Sequence, residues 1–183
     1  NSISLELNDK NLPIYKLASV CKMNNIKTVS HTSLGDTHST LKLGELLAKK
    51  APEVFKASLA LKRKADVLPK LESTPIFCWM EAWRVAKIYT GTLIGEGIYP
   101  GWYWTYDLRK PPEEILSVIN DTDLFKKELD ASPKWCRTQK ANRAPLLMDK
   151  KYALLDDVYK DLGMKELERR QKVISKNRED ILN

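Results

Sequence analysis

Trp102-Tyr103-Trp104-Thr105-Tyr106 is an unbroken run of aromatic and β-branched residues, set just after Pro100-Gly101. Such side chains lose rotamer freedom in a helix and pack well on a pleated surface, so the run predicts a strand over 102–108. Segments 76–79 and 85–92 share this texture, and Gly91, Gly95, Gly97, Pro100 and Gly101 punctuate them. Segments 135–138 and 145–148 read as further short strands. A helix is expected from Pro111-Pro112-Glu113-Glu114 to residue 119, with a helical continuation over 124–129. Two more, 151–162 ended by Gly163 and 165–178, close the chain. Residues 70–183 therefore predict a small, strongly bent sheet with inserted helices.

The region before this sheet reads as helical. Leu17, Val20 and Cys21 fall on one face of a short helix that Asn24-Asn25 ends. A second helix starts near residues 34–36 and turns Leu43, Leu46 and Leu47 inward. A third starts at Pro52-Glu53, carries Phe55 and Leu59 inward and ends in Lys62-Arg63-Lys64, before Pro69. The fold class is α+β, with one domain over 1–66 and a second over 70–183.

Charge limits the partners. Lys and Arg number 31 against 24 Asp and Glu, a formal net charge of +7. Residues 1–70 hold 12 basic and 6 acidic residues, and the remainder is nearly neutral. Within that remainder the basic residues form tracts over 126–151 and 165–178, which suit a phosphate backbone or an acidic peptide as well as plain solvent. No apolar run approaches the roughly 20 residues that span a bilayer, so no membrane partner is expected. Cys21, Cys78 and Cys136 are too few and too far apart for a disulfide framework or a thiolate zinc site. Buried thiols in a reducing cytoplasm are expected instead.

Chemistry concentrates in Ser30-His31-Thr32-Ser33-Leu34-Gly35-Asp36. An Asp in a first helical turn can face a cation, and a His on the preceding loop can reach the same cleft. The pair suits metal-assisted phosphodiester hydrolysis, with imidazole as the base for an attacking water. The same residues also suit a helix-capping Asp and a loop His. His38 lies about 200° around the helix from Asp36 and reads as structural.

Leu12-Pro13-Ile14-Tyr15-Lys16-Leu17, the short helix after it, the Asn-Asn-Ile turn and His31-x4-Asp36 together resemble the last catalytic motif of the DEDDh exonucleases. More narrowly, the chain resembles bacterial exonuclease I, a 3′→5′ single-strand DNA exonuclease. Pro75 to Trp83 with Arg84, Tyr106-Asp107-Leu108, Ala144-Pro145-Leu146 and Asp161-Leu162-Gly163 follow, in order, landmarks of that family's second domain. The resemblance implies a helical C-terminal remnant of an RNase H-like exonuclease fold, then an SH3-like domain. It implies His31 as general base, Asp36 as a Mg²⁺ ligand and Lys16 as a contact to DNA. It also implies a surface near the last helix for the acidic tail of single-strand-binding protein, gripped by Lys176 or Arg178.

Departures from the family matter as much. Its first carboxylate pair, Asp-x-Glu on an N-terminal strand, has no counterpart before Leu12, and the third carboxylate's segment and the C-terminal helical domain have none either. One carboxylate cannot hold two Mg²⁺ ions about 4 Å apart. The expected function is therefore part of a Mg²⁺-dependent exodeoxyribonuclease in DNA repair, incomplete as this chain, with a separate chain as one source of the missing half. The alternative is a non-catalytic module that binds single-stranded DNA or single-strand-binding protein. A third reading is a basic α+β domain with an unrelated partner. Trp79, Trp83, Trp102, Trp104 and Trp135 read mainly as core, with alternation leaving Tyr103 or Tyr106 as the exposed aromatic beside basic residues.

Overall fold

A computed structural model describes residues 3–27, 32–82 and 85–182. Its chain forms two compact units, one of residues 1–57 with 82–85 and one of 58–81 with 86–183.

The first unit opens with a feature too short to read from periodicity. Strands β1 (Glu6–Leu7) and β2 (Pro13–Ile14) pair antiparallel. Asn8 shapes the turn between them, its side-chain oxygen accepting from the backbone N–H of Lys10 and Leu12. Helix α1 (Leu17–Met23) follows, and Asn25, at φ 58°, turns the chain out of it. Helix α2 spans Ser33–Lys50 and begins α3 (Pro52–Ala60) after one residue. The contact of α1 with α2 runs through small residues. Val20 and Cys21 are buried on one side, Gly35 and Ser39 on the other, and the Cys21 thiol lies 3.9 Å from the Ser39 carbonyl oxygen. Leu43, Leu46 and Leu47 are only half-buried, while Leu34 and Leu41 are exposed. Leu59, expected inward, is also exposed, whereas Leu61, just beyond the end of α3, is buried in the core of the second unit.

In the second unit, helix α4 (Val67–Ser73) occupies a stretch that Pro69 marks as a break in the sequence. Proline fits because it falls in the first turn, where no intrahelical N–H bond is lost. The sheet has the order β6-β5-β4-β3-β7: β3 is Phe77–Ala82, β4 Ala86–Glu96, β5 Trp102–Asp107, β6 Cys136–Lys140 and β7 Met148–Asp149. Pairings β4–β5, β5–β6 and β3–β7 are antiparallel. A register shift between Leu93 and Gly95 breaks the β4–β5 ladder, which increases local twist and bends the sheet. Gly91, in the regular ladder opposite Asp107, is required for close approach: a Cβ would lie 2.2 Å from the Tyr106 carbonyl oxygen.

One face of the sheet packs Phe77, Trp79, Tyr89, Leu93 and Tyr103 against Leu61, Val67, Leu71 and Leu147. Helices α5 (Pro112–Val118) and α6 (Thr122–Asp130) form an excursion between β5 and β6. It returns through Trp135, which is 1% exposed, stands 5.5 Å from the Tyr106 ring and donates its indole N–H to the Glu128 carbonyl. The expected helix over 151–162 is instead a 3₁₀ segment, Lys150–Leu155, before α7 (Asp157–Lys176). Asp156 caps α7, and Gly163 (φ 75°) interrupts it rather than ending it. α7 is no solvated helix. Tyr159, Leu167 and Ile174 are fully buried, as is Ile181 of α8 (Arg178–Leu182) at 4% exposure. Their spacing hides one continuous apolar face among Lys, Arg and Glu.

Arg170 joins this face to the end of β5, donating to the Leu108 and Arg109 carbonyls at 3.0 and 2.7 Å. Glu166 holds it in place and accepts from both Arg170 and Arg169. The two guanidiniums hold the Glu166 carboxyl down from its ordinary 4.5 to about 2. A carboxyl lowered in the folded state contributes stability that is full above pH 4.5 and lost as pH falls toward 2. Glu166→Gln should therefore flatten the decline of melting temperature between pH 4.5 and 2. A decline as steep as that of the wild type would show that the pair contributes nothing, as many exposed ion pairs do.

All three cysteines are free thiols. Burial pushes Cys78 up to about 11 and Cys136 to about 12, so both stay protonated.

Candidate functional site

Within the first unit, α2 places Asp36. Thr32 caps the helix, its hydroxyl oxygen accepting the Gly35 N–H at 3.0 Å. Ser39 donates its hydroxyl to the Gly35 carbonyl at 2.7 Å, within the buried contact with α1. That contact fixes the roll of α2. It turns Gly35 and Ser39 inward and leaves Asp36, in the first turn, facing solvent. An exposed carboxylate on a fixed first turn is placed to offer one oxygen ligand to a cation. Lys16 stands exposed at the start of α1, in extended conformation (φ −65°, ψ 132°). His31 lies outside the described residues, as do Trp83 and Arg84. His38 is exposed and lines a groove of about 400 Å³ with Lys27, Lys42 and Lys49, around the helix from Asp36 as its spacing requires.

Among the described residues no group of three His, Cys, Asp or Glu side chains comes together to hold a metal ion.

In the second unit, Lys176 is exposed in the last turn of α7 and Arg178 is half-buried at the start of α8. Burial lowers the Arg178 guanidinium, and Glu72 pulls it back up. Its Nε–H is buried with no hydrogen-bond partner among the described residues.

A cluster that the sequence reading passed over lies around Asp107, which is 1% exposed. Its carboxylate accepts the Tyr159 hydroxyl at 2.6 Å and the Arg109 N–H at 3.0 Å, with the Arg137 Nε 3.6 Å away. Arg137 also lies 3.7 Å from the centre of the Tyr89 ring and pairs with Glu81 at 2.9 Å. Burial pushes the Asp107 carboxyl up, against the pull of these donors. The group ties β5 and β6 to α7 from inside. Tyr106-Asp107-Leu108 was legible as a landmark, but its partners are remote in the chain.

The aromatic assignment reverses. Tyr103 is 6% exposed and Tyr106 fully buried, whereas Trp102 and Trp104 are only half-buried. Tyr103 faces the core cluster, and helices cover the Tyr106 end of the other face.

No family model and no curated protein sequence matches the chain. Solved structures do. Exonuclease I from Methylocaldum szegediense superposes with a TM-score of 0.70 at 16% identity, covering 99% of this chain and 43% of its own. E. coli exonuclease I in complex with a 5cy-dT13 oligonucleotide gives 0.67 at 16%, covering 98% and 42%. An exonuclease I complex with SSB-Ct gives 0.65 at 14%, covering 98% and 41%. The chain is thus similar in fold to exonuclease I through nearly all of its length, and spans about two fifths of those proteins. Among the described residues no helix is long and apolar enough to cross a membrane.

Proposed function

We propose that this chain is part of a Mg²⁺-dependent 3′→5′ exonuclease acting on single-stranded DNA in DNA repair in the cytoplasm. The observation that carries the reading is the coincidence of the His31-x4-Asp36 spacing with a fold like that of exonuclease I over 98% of the chain. In this reading residues 1–66 end the nuclease domain and 70–183 form its SH3-like module. Magnesium, when bound, stabilises charge on the phosphate and the leaving oxygen. This chain's own residues do the rest of their share. Asp36 offers one oxygen ligand from the first turn of α2. His31 takes the proton of the attacking water, and Lys16 holds a phosphate of the strand. Lys176 and Arg178 receive the carboxylates of an acidic tail of the kind that single-strand-binding protein carries. The remaining carboxylates come from outside these residues, in the same polypeptide or a separate one.

The 183-residue chain alone is accordingly expected to leave single-stranded DNA intact in magnesium. Adding a segment that supplies Asp-x-Glu should restore degradation from the 3′ end. Robust degradation by the chain alone, lost in Asp36→Ala, would show that the site closes without further carboxylates.

A further inference from the structure

We infer that the outer face of β5 and β6 is a base-stacking platform for single-stranded DNA, built on Trp102 and Trp104 and separate from the nuclease residues. Register places Trp102 opposite Lys140 and Trp104 opposite Thr138 on one face of the sheet. Residues two apart on a strand stand roughly 6.7 Å apart on the same side, so the two indoles form a row. Trp102 and Trp104 are half-buried, Thr138 is exposed, and Tyr99 beside them is 59% exposed. A face built to take a helix would carry apolar residues where Lys140 and Thr138 stand.

The rings are already fixed in place. Trp104 lies against Gly97, where a Cβ would meet its indole nitrogen at 2.7 Å. Tyr99 and Trp102 have ring centroids 5.0 Å apart, and the Lys140 ammonium sits 3.4 Å from the centre of the Trp102 ring. Side chains ordered before binding cost less to engage.

Charge selects the ligand. Lys140 stands on the Trp102 ring, and Arg143 lies in the 3₁₀ turn directly after β6. Among the described residues, neither Lys140 nor Arg143 pairs with a carboxylate; the nearby Glu96 accepts the Gly101 N–H at 2.7 Å. Flat aromatic surface edged by uncancelled cations is the surface chemistry that grips bases and backbone together. Lys140 can leave the ring for a phosphate as a base stacks in its place. DNA as the ligand rests on the proposed function; the platform itself rests on these contacts.

The test is anisotropy of labelled oligothymidylate with the full chain in EDTA, where no cleavage occurs. Trp102→Ala and Trp104→Ala should each weaken binding by about 5- to 150-fold, while Trp102→Phe keeps most of the affinity. An abasic oligonucleotide of equal length should bind about as weakly as the Ala variants. Lys140→Gln should lower the slope of log affinity against log salt by about one. Equal binding of the abasic strand, or wild-type affinity in both Ala variants with unchanged melting temperature, overturns the platform. So does binding of an acidic peptide in place of DNA. If the platform binds but the completed protein does not cut, the nuclease reading fails alone. If it cuts while the platform variants change nothing, the platform fails alone.

Discussion

His31→Ala, made in the protein that supplies the remaining carboxylates, should lower the turnover of single-stranded DNA by about 100- to 10,000-fold, the usual contribution of a positioned base. Affinity for the strand should change little, because the imidazole acts on a water and not on a phosphate. The pH profile gives the sharper reading. An imidazole base works only when neutral, so the wild-type rate should carry an acid limb that rises as the base loses its proton. The His31→Ala rate should lack that limb. Asp36→Ala should abolish the magnesium-dependent rate by a different route, by removing a ligand from the first turn of α2. A His31→Ala protein that cuts at the wild-type rate would return His31 to the role of a loop residue. The proposed function would then rest on the fold alone.

Asp107→Ala should destabilise the second unit by about 3–5 kcal/mol, the usual cost of removing one partner from a buried charged group. The carboxylate is the shared acceptor for the Tyr159 hydroxyl and the Arg109 N–H and lies within 3.6 Å of Arg137. Without it the Tyr159 hydroxyl, the Arg109 backbone N–H and the Arg137 guanidinium lose their common partner, and burial makes an unmatched donor costly. Asp107→Asn should cost less, since an amide oxygen can still accept from Tyr159. Tyr159→Phe should cost about 1–3 kcal/mol. Urea unfolding followed by tryptophan fluorescence measures all three, since Trp79, Trp102, Trp104 and Trp135 lie in this unit. A loss under about 1 kcal/mol in Asp107→Ala would mean that the group is a bystander and that Trp135 and Tyr106 alone hold this corner together.

The central strands were legible because their signal is local, whereas the strand expected over 145–148 is only Met148–Asp149. The aromatic run at 102–106 and the glycines around it announce β5 and the bend before it. Three kinds of feature were not. β1 and β2 are two residues each, below any period. In α4, Pro69 reads as a break until its place in the first turn is known. The outward face of β5 depends on which side the α5–α6 excursion and α7 cover, and alternation alone leaves both choices open. The same distinction runs through the candidate site. His31 and Asp36 are a short-range motif and could be named from spacing. Asp107 and Tyr159 meet across 52 residues of chain, and no local pattern announces such a pair.

The seam between α1 and α2 is closed by Cys21, Gly35 and Ser39, none of them large. What such a seam demands is smallness, a property that glycine, alanine, serine and cysteine largely share, rather than a particular shape. The height and roll of Asp36 can therefore survive drift that rewrites the letters around it. Two helices packed this way can keep a carboxylate aimed at the same point in space after their sequences have ceased to look related.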